Sequence, residues 1–258
     1  MSQKINLNAD LGESFGAWSM GSDSALLDVV GSANVACGFH AGDPLVMRQT
    51  VRAARERGVS IGAHPSFPDL QGFGRRRMDI PADELAAMLI YQIGALQTMA
   101  AVEGHALSHV KPHGALNNMA CADARLADVV AAAVAAVDRD LILLAPAHSQ
   151  LALAGIRAGL AVGLEVFADR AYQDDGQLVP RSQPGAMIHG AEASLQHVLR
   201  MLDAGGLVTR TGNVLKTDIH SICVHGDGPD AVASACALAA GLEMAGYSLS
   251  TLPQTLRP

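Results

Sequence analysis

Six stretches of this chain end a short apolar run in residues that can move protons, hold ions or grip anions. Asn6-Leu7-Asn8-Ala9-Asp10-Leu11-Gly12-Glu13 comes first, and Ala36-Cys37-Gly38-Phe39-His40-Ala41-Gly42-Asp43 second. Ile61-Gly62-Ala63-His64-Pro65, Val110-Lys111-Pro112-His113-Gly114, Val166-Phe167-Ala168-Asp169-Arg170 and Ile222-Cys223-Val224-His225-Gly226-Asp227 follow. Asp10 and Glu13 have the chemistry of a general base or a metal ligand. A helix cap or an Asx turn would use them equally well. His64, His113 and His225 each stand one residue past an apolar strand core. A single histidine there is more often structural, but three at equivalent strand ends lead us to expect at least two in one site.

Lys111 beside Pro112 is expected to be buried with a carboxylate, where it would bind an anion or activate a carbonyl. A structural ion pair is the competing reading. Asn6 and Asn8 share a strand face by the period of two, so Asn8 and Asp10 are expected to point the same way. Cys37 and His40 have Cys-x-x-His spacing, but a small buried strand cysteine explains Cys37 better. Glu165 precedes Asp169-Arg170, a pair that can orient an anionic substrate. Gly72-Phe73-Gly74-Arg75-Arg76 offers amides and guanidinium groups for an anion cradle, or is a solvated charge run. The segment around Arg181 reads the same way.

Distant segments of this kind meet only if their strands are parallel and end on one face. Strands are predicted at Ile5–Ala9, Asn34–Cys37, Ser60–Ala63, Ser108–Val110, Leu141–Ala145, Gly163–Phe167 and Ser221–Val224. Between them, Asp43-Pro44 has the pattern of an N-cap and first helical residue, opening a helix through Arg57. Pro81 to about Glu103, Asp123 to Val137 and Pro229-Asp230 to near Gly246 are further helices. This alternation means α/β with a parallel sheet. About seven strands in a single domain over 1–258 fit a β/α barrel, with an open doubly wound sheet as the alternative. Two stretches, Pro65 to Asp79 and Tyr172 to Ile188, are too long for simple connections and are expected to be functional loops.

Apolar residues make up 50% of the chain and the net charge is -7, which argues against a basic nucleic-acid-binding face. No apolar run reaches the ~18 residues of a membrane span. Met1-Ser2-Gln3-Lys4 enters a strand-like segment without a signal-peptide core, and four cysteines show no C-x-x-C pair. Both features predict a cytoplasmic protein with free thiols. No Walker A or G-x-S-x-G motif is present.

Taken together, the six stretches and Gly72-Phe73-Gly74-Arg75-Arg76 resemble the LamB/YcsF family, identified as the A component of bacterial 5-oxoprolinase. The resemblance covers nearly the whole chain. The family usually carries Tyr after the His-Gly-Ala-Leu segment, where this chain has Asn117. The resemblance implies a barrel similar to polysaccharide deacetylases. It also implies ATP-dependent opening of 5-oxo-L-proline to L-glutamate together with two further subunits, B and C.

A five-membered lactam is a poor electrophile. Phosphorylating its oxygen would open the ring carbon to water, given a base, a donor to the ring nitrogen and cations for phosphoryl charge. Asp10, Glu13, His64, Lys111, His113 and His225 are the catalytic candidates. Asn8, His40, Asp43, Arg75 and Arg76 are candidates for binding substrate or ATP, as are Glu165, Asp169, Arg170, Arg181 and Asp227. Magnesium is expected to enter with ATP. Without a His-x-x-x-His helix pair, no tightly held transition metal is expected. The alternatives are a stand-alone metal-dependent deacetylase or lactam hydrolase using Asp10 and two histidines, and a non-catalytic scaffold.

Overall fold

The computed structural model describes residues 3–224 and 231–256. In chain order the elements are β1 (Lys4–Leu11), α1 (Asp23–Leu27), β2 (Ser32–Ala36), α2 (Pro44–Glu56) and β3 (Ser60–His64). Next come α3 (Ala82–Val102), β4 (Leu107–Val110), α4 (Gly114–Ala122), α5 (Ala124–Val137), β5 (Ile142–Pro146), α6 (Gln150–Arg157) and β6 (Ala161–Phe167). The chain continues with α7 (Ala191–Ala204), β7 (Gly206–Val208), β8 (Val214–Lys216), β9 (Ser221–Val224), α8 (Ala231–Met244), β10 (Ser248–Leu249) and α9 (Leu252–Leu256).

β1 to β6 run parallel in chain order, and β9 pairs with both β6 and β1, closing a seven-stranded barrel. The open-sheet alternative is therefore excluded. All seven predicted strands are present, each within a few residues of its expected bounds. β10 extends the sheet beside the start of β1, and β7 and β8 form a separate antiparallel hairpin. Sequence reading missed both, as well as the short helices α1, α4, α6 and α9 and the longer α7. Pro229 and Asp230, the expected start of the last helix, lie outside the described residues.

Period-two alternation divides each strand between two environments. On β1, Ile5, Leu7, Ala9 and Leu11 join the large apolar cluster under the helices. Asn6 and Asn8, between them, join polar groups across the barrel. Barrel interiors are commonly filled by Val, Ile and Leu; this one holds a hydrogen-bonded polar column. Asn6 donates to Ser32 Oγ (2.9 Å) and accepts from Ser221 Oγ (2.6 Å). Asn8 donates to Ser221 Oγ and Glu165 Oε1, both at 2.8 Å, and accepts from Asn34 Nδ2 at 2.7 Å. Asn34 Oδ1 accepts from His109 Nε2 (2.9 Å). Buried polar groups are costly unless paired, so this column is stable only as a connected set. Its lower end is sealed by α9: Leu252 packs on Ile142 and Leu144, and its N–H donates to Ser32 Oγ.

One expectation needs correction. Helix α3 is long and apolar enough, by length and composition, to cross a bilayer. Here it buries Leu85, Leu89, Ile93, Leu96 and Ala100 in the large apolar cluster, with acidic Asp83 and Glu84 in its first turn.

Candidate active site

The C-terminal ends of the strands open into a cavity of about 630 Å³. Asp10 of β1, His64 of β3 and Lys111, just past β4, line it together with His113, the N-cap residue of α4. The two long loops contribute its walls, through residues such as Phe73 and Arg181.

Lys111 is 2% exposed. Its ammonium lies 3.1 Å from Asp10 Oδ1, 3.0 Å from Glu165 Oε1 and 3.2 Å from Asn8 Oδ1. It also donates to Cys223 Sγ at 3.1 Å. Burial works against the ammonium, but Asp10 first, with Cys223 and Glu165, offsets it and holds Lys111 well above its usual pKa. Burial also raises the Cys223 thiol. Cys223 is therefore a neutral acceptor at physiological pH, and the two carboxylates supply the charge. The Lys111 ammonium thus lies between two carboxyl groups at the cavity floor.

The histidines are arranged by backbone carbonyls. His64 Nδ1 lies 2.6 Å from the Lys111 carbonyl oxygen, and His113 Nε2 lies 2.9 Å from that of Phe73. A carbonyl oxygen only accepts, so both nitrogens carry protons. That leaves His64 Nε2 and His113 Nδ1 facing each other 2.9 Å apart; where both rings are neutral, both present lone pairs. The His40 ring stacks on His113 with centroids 3.9 Å apart, and its Nε2 lies 3.2 Å from Glu13 Oε1. Burial first, then neighbouring imidazoles, holds His40 and His113 well below the usual histidine pKa. Glu13, His40, His64 and His113 bring one ligand-type atom each within 4.8 Å of one another, so these residues could hold a divalent cation.

Backbone geometry explains why the 72–76 loop reaches the site. Asp69, fully buried, accepts from the N–H groups of Gly72 and Arg76 and pairs with the Arg76 guanidinium. Phe73 is left-handed (φ 53°), which turns its carbonyl toward His113. A Cβ on Gly74 would collide with Ser66 Oγ and stand 2.9 Å from atoms of His40 and His113, so only glycine fits.

Arg75, Arg77, Arg170 and Arg181 line the cavity. Arg170 is 6% exposed; its Nη2 donates to the Val179 carbonyl (2.9 Å), and its Nε has no partner among the described residues. Burial, then the charge of Arg181, lowers its pKa. Like charges gathered in a recess favour an anionic ligand.

A profile of the LamB/YcsF family matches residues 5–257. The chain belongs to the LamB/YcsF family. It is 64% identical to the A subunit of 5-oxoprolinase from Azoarcus sp. (strain BH72) over 97% of this chain and 98% of that one. Its structure resembles the crystal structure of the lactam utilization protein from Thermus thermophilus with a TM-score of 0.91 at 43% identity, covering 96% of this chain and 100% of that one. The catalytic domain of a peptidoglycan N-acetylglucosamine deacetylase from Eubacterium rectale shares the fold alone, with a TM-score of 0.54 at 12% identity over 100% of this chain and 91% of that one.

Among the residues singled out from sequence, Asp10, Glu13, His64, Arg75, Lys111, His113, Arg170 and Arg181 line the cavity of this LamB/YcsF protein. Asn8, His40 and Glu165 are buried against those that do. Asp43 and Arg76 are not brought to it. Asp43 caps α2, accepting from the N–H groups of Leu45 and Val46. Arg76 is held by Asp69. Asp169 serves the wall loop through its carbonyl, which accepts from Ile188 N–H at 2.8 Å. His225 and Asp227 lie outside the described residues. Cys37 is a buried strand-end thiol, as expected, its pKa pushed up by burial to about 12. Asn117 lines the cavity, so the departure from the family's usual Tyr falls within the site. Cys223 was missed as a Lys111 partner, although its spacing from Ser221 on β9 places both on the inward face. Arg77 had no signal beyond its charge run.

Proposed function

We propose that this chain is the barrel subunit of an ATP-dependent 5-oxoprolinase, opening 5-oxo-L-proline to L-glutamate as ATP becomes ADP and phosphate. The observation that carries this reading is the pairing within one cavity of an acid/base floor with an arginine-bearing wall. A small cyclic amide with a carboxylate needs both. The names of the full-length relatives support the substrate.

Asp10 is the proposed base for water, because it opens on the cavity, pairs with Lys111 at 3.1 Å and turns its second oxygen to His64 at 3.4 Å. Lys111 donates to the departing ring nitrogen. One of Arg75, Arg170 and Arg181 grips the substrate carboxylate, and the others balance phosphoryl charge. Magnesium enters with ATP. The chain shows no Walker A loop, so two further subunits, B and C, complete the nucleotide site, and the long loops at the cavity mouth are their docking surfaces. A cytoplasmic location belongs to the same reading.

The converging imidazoles favour one second reading, a deacetylase or lactam hydrolase that acts alone. One assay separates the two: glutamate release from 5-oxoproline by this chain alone and with its two cognate subunits, with and without ATP. Activity only in the complete ATP-containing mixture is expected. Robust release by the isolated chain without ATP would replace this reading with the second.

A further inference from the structure

We infer that His64, His113, Glu13 and His40 form a binding site for one divalent transition-metal ion of the zinc type. The sequence led us to expect none, because it carries no His-x-x-x-His helix pair, and it does not show the approach of His40 to His64 and His113. Three observations carry the site, and none depends on the reaction assigned above.

The first is the facing lone pairs. With His64 Nδ1–H and His113 Nε2–H committed to carbonyl oxygens, the two rings in their neutral form set two acceptor nitrogens 2.9 Å apart in a buried place. Two acceptors at that distance repel unless something positive lies between them. Metal-bound histidines commonly donate their second N–H to a backbone carbonyl, which fixes the ring and raises its basicity. Both rings already have that support.

The second is spacing. Donors on one zinc-like ion at about 2.0–2.2 Å stand no more than about 4.4 Å apart; the four donors lie within 4.8 Å of one another, so binding draws the outermost in by a few tenths of an ångström. Glu13 Oε1 is 3.7 Å from His113 Nδ1 and 3.2 Å from His40 Nε2, and Asp10 Oδ2 is 3.4 Å from His64 Nε2. Three imidazoles with one or two carboxylates suit zinc and its first-row neighbours, whereas magnesium prefers oxygen donors.

The third is an orphan. His40 is 1% exposed, yet its Nδ1 has no partner among the described residues. With Nε2 against Glu13, the ring sits at the edge of the donor set in a site that holds an unmet polar demand. When bound, such an ion supplies a Lewis acid for a carbonyl oxygen or a water of lowered pKa.

The test is direct binding. Full-length protein, stripped with chelator and dialysed, is titrated with Zn2+ by calorimetry and with Co2+ by visible absorption. Expected are one equivalent of Zn2+, a Co2+ ligand-field band and a rise in melting temperature on binding. His64→Gln and His113→Gln should each weaken Zn2+ affinity at least about 100-fold, whereas His189→Ala, at an exposed position, should not. If either glutamine variant fails to fold, Glu13→Gln takes its place, with an expected loss of about 10-fold or more. Two results would overturn the inference. One is no uptake of either ion up to millimolar concentration. The other is uptake undiminished in the folded variants. A proton shared by His64 and His113, seen by imidazole 15N shifts in protein that takes up no metal, belongs to the first of these.

Discussion

Lys111 and Glu165 form a buried ion pair: Nζ and Oε1 are 3.0 Å apart, with the lysine side chain 3% exposed and the glutamate fully buried. Removing one partner of such a pair strands the other charge, at a cost of about 3–5 kcal/mol. Lys111→Met should therefore lower unfolding free energy by about that amount and abolish turnover. Asp10 is 12% exposed at the cavity, so Asp10→Asn should abolish turnover with a much smaller loss of stability. Urea denaturation of both variants, alongside glutamate release by the full subunit set, checks this. A Lys111→Met protein as stable as wild type would show that the pair contributes nothing to folding.

Gly62 is the position where the barrel interior has no spare room. A Cβ there would collide with the His109 ring, which also hydrogen-bonds Asn34. Burial first, then the charge of Lys111, holds the His109 pKa down to about 3, so the ring is neutral and cannot move into water cheaply. Gly62→Ala should destabilise by about 1–3 kcal/mol, the usual range for overpacking. A melting temperature within a degree of wild type would show that the ring can shift aside.

Asp43 tests the division between scaffold and site. Its carboxylate accepts from the N–H groups of Gly16, Leu45 and Val46, which holds its pKa below the usual range, Gly16 contributing most. Asp43→Ala should cost about 1 kcal/mol of stability, as loss of an N-cap does, with turnover by the folded protein unchanged. A large fall in kcat with intact stability would return Asp43 to the site.

Acid sensitivity should arise partly at Glu103, which ties the end of α3 to α2. Its carboxylate accepts from Arg52 and Arg48, and these bonds lower its pKa from 4.5 to about 2. A depressed carboxylate pKa stabilises the fold above the unfolded value and loses that contribution as pH falls from about 4.5 toward about 2. Both arginines are about half exposed, so solvent screening keeps the effect modest. Melting curves of wild type and Glu103→Gln should differ most at neutral pH and converge in that acid window. A gap that stays constant with pH would exclude the linkage.

Local rules in the sequence determined much of this protein. The period of two put Asn8 and Asp10 on one face of β1, and strand–helix alternation brought His64, Lys111 and His113 to one rim. Asp43-Pro44 announced the start of α2 through cap chemistry that spans only four residues. A β/α barrel was legible from strand–helix alternation, but the register in which β9 closes it against β1 was not, because pairing between chain-distant strands has no local signature. Nor was the choice of Lys111's partners, since burial alone does not say which carboxylates converge on it. His40 and Arg76 show the same limit in opposite directions. His40 reached the imidazole cluster by stacking on a ring from another strand end, whereas Arg76 was drawn off to Asp69 within its own loop. Residue type and spacing select what a side chain is able to do. Where it points, and what it meets there, was decided only when distant strands closed around a common axis.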